Sequence, residues 1–131
     1  MAAARVELTP TLHGISNCDT VKKARAWLDG CGAAYRFHDF RKLGVPKDEL
    51  CRWNAAVGWE RLINRQGTTW RRLDETVREA VVDAASAAVL MQAQPSLIRR
   101  PVLTVGDEIV VGFDAARYAA LFEFGNFAGS V

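Results

Sequence analysis

Cysteine is scarce in this chain: three residues in 131, at positions 18, 31 and 51, an odd number set far apart. That excludes a disulfide-stapled scaffold and fits a reducing cytoplasm. Histidine is scarcer still, with only His13 and His38, and these with the scattered cysteines match no zinc spacing, so no metal is read. No apolar run approaches the roughly 20 residues of a membrane helix. The opening Met1-Ala-Ala-Ala-Arg-Val-Glu-Leu8 lacks the long apolar core of a secretion signal. Excess charge is missing too. Seventeen basic against 15 acidic residues leave +2, too little to argue for nucleic acid or a membrane as the main partner. No repeat, linker or low-complexity tract interrupts the chain. What is present is ordinary for one globular domain with a real core: 50% hydrophobic and 24% charged residues.

The pattern along the chain is mixed. Glu7–His13 reads as a strand ended by Gly14. A helix from about Cys18 to Gly30 follows, with Val21, Ala24, Leu28 and Cys31 at helical spacing and Gly30 and Gly32 at its end. Ala34–Phe40 alternates Tyr35 and Phe37 against Arg36 and His38, a second strand. Strand, helix, strand implies a parallel pair with a right-handed crossover. A helical block spans about 46–95. Pro46 opens its first helix and Gly58 closes it, Thr69 is placed to cap a short turn through Leu73, and Asp74–Gln94 reads as one helix or two, ended by Pro95. Val102–Val105 and Ile109–Phe113 flank Gly106-Asp107-Glu108 as an antiparallel hairpin, and Asp114 caps a last helix that frays from residue 125. The predicted fold is α/β, a single domain over 1–131: a thioredoxin-like βαβ…ββα core with the helical block inserted.

Cys18 carries the chemistry in this reading. It stands where a loop enters a helix, and the unpaired N–H groups and positive dipole end of a helix favour a thiolate. Thiolate is the nucleophilic form. A thiol at about pKa 8.5 is only ~3% ionised at pH 7, whereas at about 6.5 it is ~75% ionised. Its neighbours Ser16, Asn17, Asp19 and Thr20 are polar, which argues against a core role. Asp19 opposes a second negative charge, and Lys22 and Lys23 partly offset it. With Val21 three residues on, there is no Cys-x-x-Cys. Cys31 is about 20 Å along the same helix, beyond the roughly 7 Å of a disulfide, and reads as a buried helix-end residue. A one-thiol site needs an external thiol to complete a turnover. Two further segments bear on anions. Arg99 and Arg100 before Pro101 either hold an anion near Cys18 or form a solvated loop, and Arg65 faces either the site or water.

Taken together, Gly14-Ile-Ser-Asn-Cys-Asp-Thr20 with Lys22-Lys23-Ala-Arg25, Phe37-His-Asp39, Gly58-Trp59, Asn64-Arg-Gln-Gly-Thr-Thr-Trp70 and Ile98-Arg-Arg-Pro101 resemble the ArsC/Spx/YffB family over about residues 10 to 122. The Asn-Cys-Asp-Thr and Gly-Thr-Thr-Trp forms look closest to the YffB branch of glutathione-dependent thiol reductases. The resemblance implies a thioredoxin core, a cis peptide before Pro101, Cys18 as the catalytic residue, and Asn17, Thr20, Arg65, Arg100 and Pro101 as substrate or anion contacts. It implies glutathione as co-substrate and no bound cofactor. The partners it implies are glutathione and an oxidised thiol substrate, without nucleic acid or membrane, and the protein is expected to be a cytoplasmic monomer. Arsenate reduction by the same cysteine is the alternative. Of the three arginines that arsenate reductases place around the oxyanion, one falls on Arg100, one on Asn64 beside Arg65, and one near Gly112; Asp19 stands where those enzymes carry glycine. An Spx-like regulator that binds RNA polymerase is the alternative of another class, although Val21 removes its Cys-x-x-Cys switch.

Overall fold

A computed structural model describes the backbone of residues 9–130 and the side chains of residues 9–122. In chain order the first elements are β1 (Thr11–Gly14), α1 (Asp19–Gly30) and β2 (Arg36–Asp39). Next come α2 (Phe40–Leu43), α3 (Lys47–Val57), α4 (Trp59–Leu62), α5 (Thr68–Arg71), α6 (Glu75–Glu79) and α7 (Ala84–Ala93). A 3₁₀ turn over Pro95–Leu97 leads to β3 (Val102–Val105), β4 (Glu108–Val111) and α8 (Ala115–Ser130). The chain falls into two compact units, one made of the residues up to Asp39 and from Arg100 onward, the other of Phe40–Arg99.

The first unit is a thioredoxin-like core. Its sheet has the order β2-β1-β3-β4, with β1 parallel to β2 and antiparallel to β3, and β3 antiparallel to β4. The β3–β4 turn is two residues long, and Gly106 takes its first position at φ +59°, which suits a tight hairpin. α1 buries Val21, Ala24 and Leu28, one helical stripe, against Leu12, Leu103 and Val110 of the sheet and Tyr118 and Phe122 of α8. Arg25 stacks over Phe37 (4.3 Å) and donates to the Tyr35 hydroxyl (3.4 Å), so α1 is tied to the strand beside it. Asp114 caps α8 as its sequence position predicts, accepting from the Arg117 N–H at 3.2 Å.

The second unit is helical. Phe40 and Trp53 pack at 6.1 Å between ring centroids. α3 ends on Gly58 at φ +87°, a left-handed position that only glycine takes easily. Ile63 and Ile98 form an isolated antiparallel bridge, flanked by hydrogen bonds from Asn64 N–H to Leu97 (2.7 Å) and from Arg99 N–H to Leu62 (2.8 Å). The Asp74–Gln94 stretch is two helices. Asp83 stops the run by capping α7 in a capping box with Ser86, whose N–H it accepts at 2.9 Å.

Several expectations need correction. The second strand is Arg36–Asp39, because Phe40 already opens α2, and β4 begins at Glu108 and ends at Val111. Residues 7 and 8 of the first predicted strand lie outside the described residues. Thr69 lies inside α5, whose N-cap is Gly67. Helix α8 runs to Ser130, through the stretch expected to fray, while residue 131 lies outside the described residues. Cys31 is exposed. It is the C-cap residue of α1, followed by Gly32 at φ +69°, with Ala33 N–H bonded to Leu28 and Gly32 N–H to Asp29. That pair of bonds is a Schellman ending, and it turns residue 31 off the buried stripe.

Tyr118 is fully buried, edge-on to Phe113 (5.1 Å) and Trp27 (5.7 Å), and its hydroxyl has no hydrogen-bond partner among the described residues. Burial raises its pKa above the usual tyrosine range. Tyr118→Phe removes a desolvated polar group without opening a cavity, so thermal unfolding should show a stability gain of about 1 kcal/mol.

Candidate functional site

The chain turns as soon as β1 ends. The Cys18 N–H donates to the Ile15 carbonyl at 3.2 Å, and the Cys18 carbonyl accepts from Lys22 N–H at 2.9 Å, the first bond of α1. Cys18 is therefore the N-cap residue, extended at φ −90° and ψ 128°. The N–H groups of Asp19, Thr20 and Val21 have no acceptor within the helix and point past its end. An N-cap oxygen would normally take one of them; here the Cys18 sulfur stands in its place.

A second arm of the site comes from the chain entering β3, the strand next to β1. The β1–β3 register pairs His13 with Val102, so Pro101 and Arg100 run on beside the loop that leaves β1. The Arg100–Pro101 peptide is cis, as expected, and the Pro101 carbonyl accepts from Gly112 N–H at 2.8 Å. The Arg100 guanidinium reaches the Cys18 sulfur.

These contacts set the protonation state. Burial pushes the Cys18 thiol up. The Val21 N–H, a hydrogen bond and the positive charge from Arg100, and the Thr20 N–H together outweigh it, and the thiol is held below its ordinary value. Because the folded-state pKa is lowered, the thiolate stabilises the fold fully above the unfolded thiol's pKa, and this contribution is lost as pH falls through the folded value.

Of the residues singled out in the sequence, Cys18, Arg100 and Thr20 come together, and Thr20 acts through its backbone with an exposed side chain. Asn17 is exposed in the turn before the helix, and Pro101 is buried beside Arg100. Arg65 belongs to the second unit, where it is exposed with its guanidinium 5.7 Å from the Trp59 ring centroid. Asn64, in the same loop, accepts from the Gln66 N–H at 3.1 Å. Cys51 is exposed on α3. Among the described residues no three histidine, cysteine or acidic side chains cluster as metal ligands.

Two contributors escape a reading by side chain. Val21 looks like pure core, and its side chain is fully buried, yet its N–H is the foremost of the groups lowering the pKa of the thiol. Gly14 looks like a strand terminator, but a Cβ there would lie 2.7 Å from Val21 Cγ2. Glycine lets β1 and the first turn of α1 meet, and a glycine directly after a strand and four residues before a nucleophile was the available signal.

Known proteins resemble this chain over most of its length. The ArsC family model matches residues 13–121. An uncharacterized protein of Haemophilus influenzae is 38% identical over 112 residues, covering 86% of this chain and 97% of its own length. A solved structure of a YffB protein superposes with a TM-score of 0.83 at 50% identity, covering 86% of this chain and 98% of its own. The global transcriptional regulator Spx of Streptococcus mutans is 28% identical over 106 residues, 79% of this chain and 76% of its own.

The rate of Cys18 alkylation by iodoacetamide, followed against pH, should have its midpoint below the roughly 8.5 of a free thiol. Arg100→Ala should move that midpoint up, since it removes both a donor and a charge. Gly14→Ala should also move it up, by displacing Val21. A midpoint at or above the free-thiol value in the parent protein would show that burial and Asp19 prevail.

Proposed function

This chain belongs to the ArsC family, and we propose that it is a thiol–disulfide reductase of the cytoplasm with Cys18 as nucleophile and glutathione as reductant. The observation that carries the reading is a lone thiol, lowered in pKa, held between a helix N-terminus and an arginine. Cys18 thiolate attacks one sulfur of a disulfide formed between a substrate and glutathione. The S–S bond breaks, the substrate leaves as thiolate, and a Cys18–glutathione mixed disulfide forms. A second glutathione thiolate attacks that disulfide, leaves with its sulfur as oxidised glutathione, and returns Cys18 as thiolate. No second protein thiol is required, in keeping with Val21 at the resolving position of a Cys-x-x-Cys and with the surface positions of Cys31 and Cys51. Arg100 would hold a glutathione carboxylate as well as the thiolate through charge-assisted hydrogen bonds, with Asn17 as a further contact. The backbone beside Pro101 would pair with the extended tripeptide.

Arsenate reduction with the same nucleophile is the second reading, supported by the Cys18–Arg100 pair. Against it, Gly112 sits at φ +83°, where an arginine would be strained, and its N–H is spent on Pro101. Asn64 supplies no charge at the other arginine position. A regulatory role of the Spx kind is supported by similarity to streptococcal Spx regulators such as that of Streptococcus mutans.

Whole-protein mass spectrometry after exposure to oxidised glutathione should give one adduct, on Cys18, that vanishes in Cys18→Ser. Arg100→Ala should weaken adduct formation roughly 10- to 150-fold, the worth of one charge-assisted bond, about 1.5–3 kcal/mol, with thermal stability nearly unchanged. Scattered labelling, or none, would point to an interaction module instead. In a coupled assay with glutathione and glutaredoxin, arsenate should give little or no turnover; turnover that rises with arsenate and is lost in Cys18→Ser would reverse the ranking of the two reductase readings.

A further inference from the structure

Charges of both signs meet at the start of α1, and one of them is left unmatched. The Arg100 guanidinium reaches the Cys18 sulfur, so positive charge is set against the thiolate. Asp19, the first residue of the helix, adds a second negative charge. Its side chain is exposed and takes neither a hydrogen bond nor an ion pair among the described residues. Lys23, four residues on, is at the spacing of a helical salt bridge, and among the described residues it makes none with Asp19. Lys22 and Lys23 are exposed and stand about 4.5–6 Å further along the helix axis, behind the end that a substrate must approach.

An acidic residue in a first turn suits the helix dipole, and that alone would explain Asp19 as part of the fold. Its place beside the sulfur gives it a second effect. The thiol is governed by burial, by the Val21 and Thr20 N–H groups and by Arg100. An incoming substrate meets a different balance. With Cys18 ionised, its charge and that of Arg100 cancel, and the full charge left over is the Asp19 carboxylate. The helix end offers only about half a positive charge, and its N–H groups are already turned on the sulfur. Neighbouring Cα atoms are about 3.8 Å apart, so the carboxylate lies within roughly 8 Å of the attacking atom.

We propose that Asp19 is a specificity-determining residue of this site: it turns away disulfides with a negative charge next to the S–S bond and favours those with an ammonium group there. The inference rests on the reading of Cys18 as a nucleophile towards disulfides, and it narrows the substrate. The class it names is the mixed disulfide of glutathione with an aminothiol, whose cation lies two carbons from sulfur. Glutathione itself is not turned away, because its carboxylates are several bonds from its sulfur and Arg100 takes one of them. A thiol with a carboxylate or sulfonate at the same two-carbon distance is the disfavoured case.

Methanethiosulfonates test this with one leaving group and a choice of charge. Cys18 thiolate attacks the divalent sulfur, a new disulfide forms, the S–S bond of the reagent breaks, and methanesulfinate leaves with the electron pair. The parent for the test carries Cys31→Ser and Cys51→Ser, both at exposed positions. Rates with the trimethylammonioethyl and sulfonatoethyl reagents are each divided by the rate with free mercaptoethanol, at about 10 mM salt, where the screening length is about 30 Å. The thiolate fraction cancels in their ratio, so a shifted pKa or a purely structural defect does not move it. The cationic reagent should lead by about threefold or more in the parent. Two unit charges about 7 Å apart in water change a rate about 2.7-fold, and the reagents differ by two charges. Asp19→Asn should therefore shift the ratio about five- to tenfold towards the anion, and Asp19→Glu should keep the preference. A parent without the preference, or an Asp19→Asn chain that retains it, overturns the proposal, even where oxidised glutathione still labels Cys18 and the reductase reading stands. The expected charge order with no adduct from oxidised glutathione would sink the reductase reading and leave Asp19 as a charge filter on Cys18.

Discussion

Negative charge on one sulfur, set against its own desolvation, is the interaction on which this structure turns. Burial alone would hold Cys18 neutral and inert. What reverses it is a set of donors already fixed before the thiol ionises: two backbone N–H groups that α1 leaves without partners, and a guanidinium from a chain segment more than eighty residues away. Neither donor set needs to reorganise when the charge appears. The rest of the first unit is the framework that keeps them there. The stripe of Val21, Ala24 and Leu28 anchors α1 on the sheet, and the pairing of β1 with β3 fixes how far Arg100 can stray from the helix end.

Much of this was legible in the chain. The order of strands and helices followed from periodicity and from glycine and proline punctuation, and the thioredoxin arrangement followed from that order. Cys18 stood out because polar residues surround it at a helix start. Arg100 was legible only as a pair of open possibilities until the resemblance was considered, because the contact depends on a register between strands distant in sequence, and no local pattern encodes register. The exposed position of Cys31 was hidden for a different reason. Helical spacing extrapolated the buried stripe one step too far, while the signal that mattered was Gly32, which ends the helix in a left-handed turn. Gly14 and the backbone of Val21 were hidden because their contributions belong to main-chain atoms, which every residue type carries.

The helical unit obeys the same physics with less local information. Its elements are short, four or five residues in α2, α4, α5 and α6, too short for a periodic pattern to show. The unit is held by single devices: the Gly58 turn, the Ile63–Ile98 bridge, and the Asp83 capping box at the start of α7. Length, more than composition, decided which helices could be read in advance.

The role of Cys18 as the N-cap of α1 also has an energetic sequel. A thiolate there completes the helix end electrostatically, whereas a sulfur bonded to another sulfur carries no charge to offer the Thr20 and Val21 donors. On the proposed function, the thiolate is the more tightly held of the two forms and the mixed disulfide the less. By linkage, whatever stabilises the thiolate makes Cys18 a better leaving group and draws the couple towards oxidising potentials. In the proposed cycle, the helix terminus that would activate the thiol for attack is the same element that would make it leave at the end.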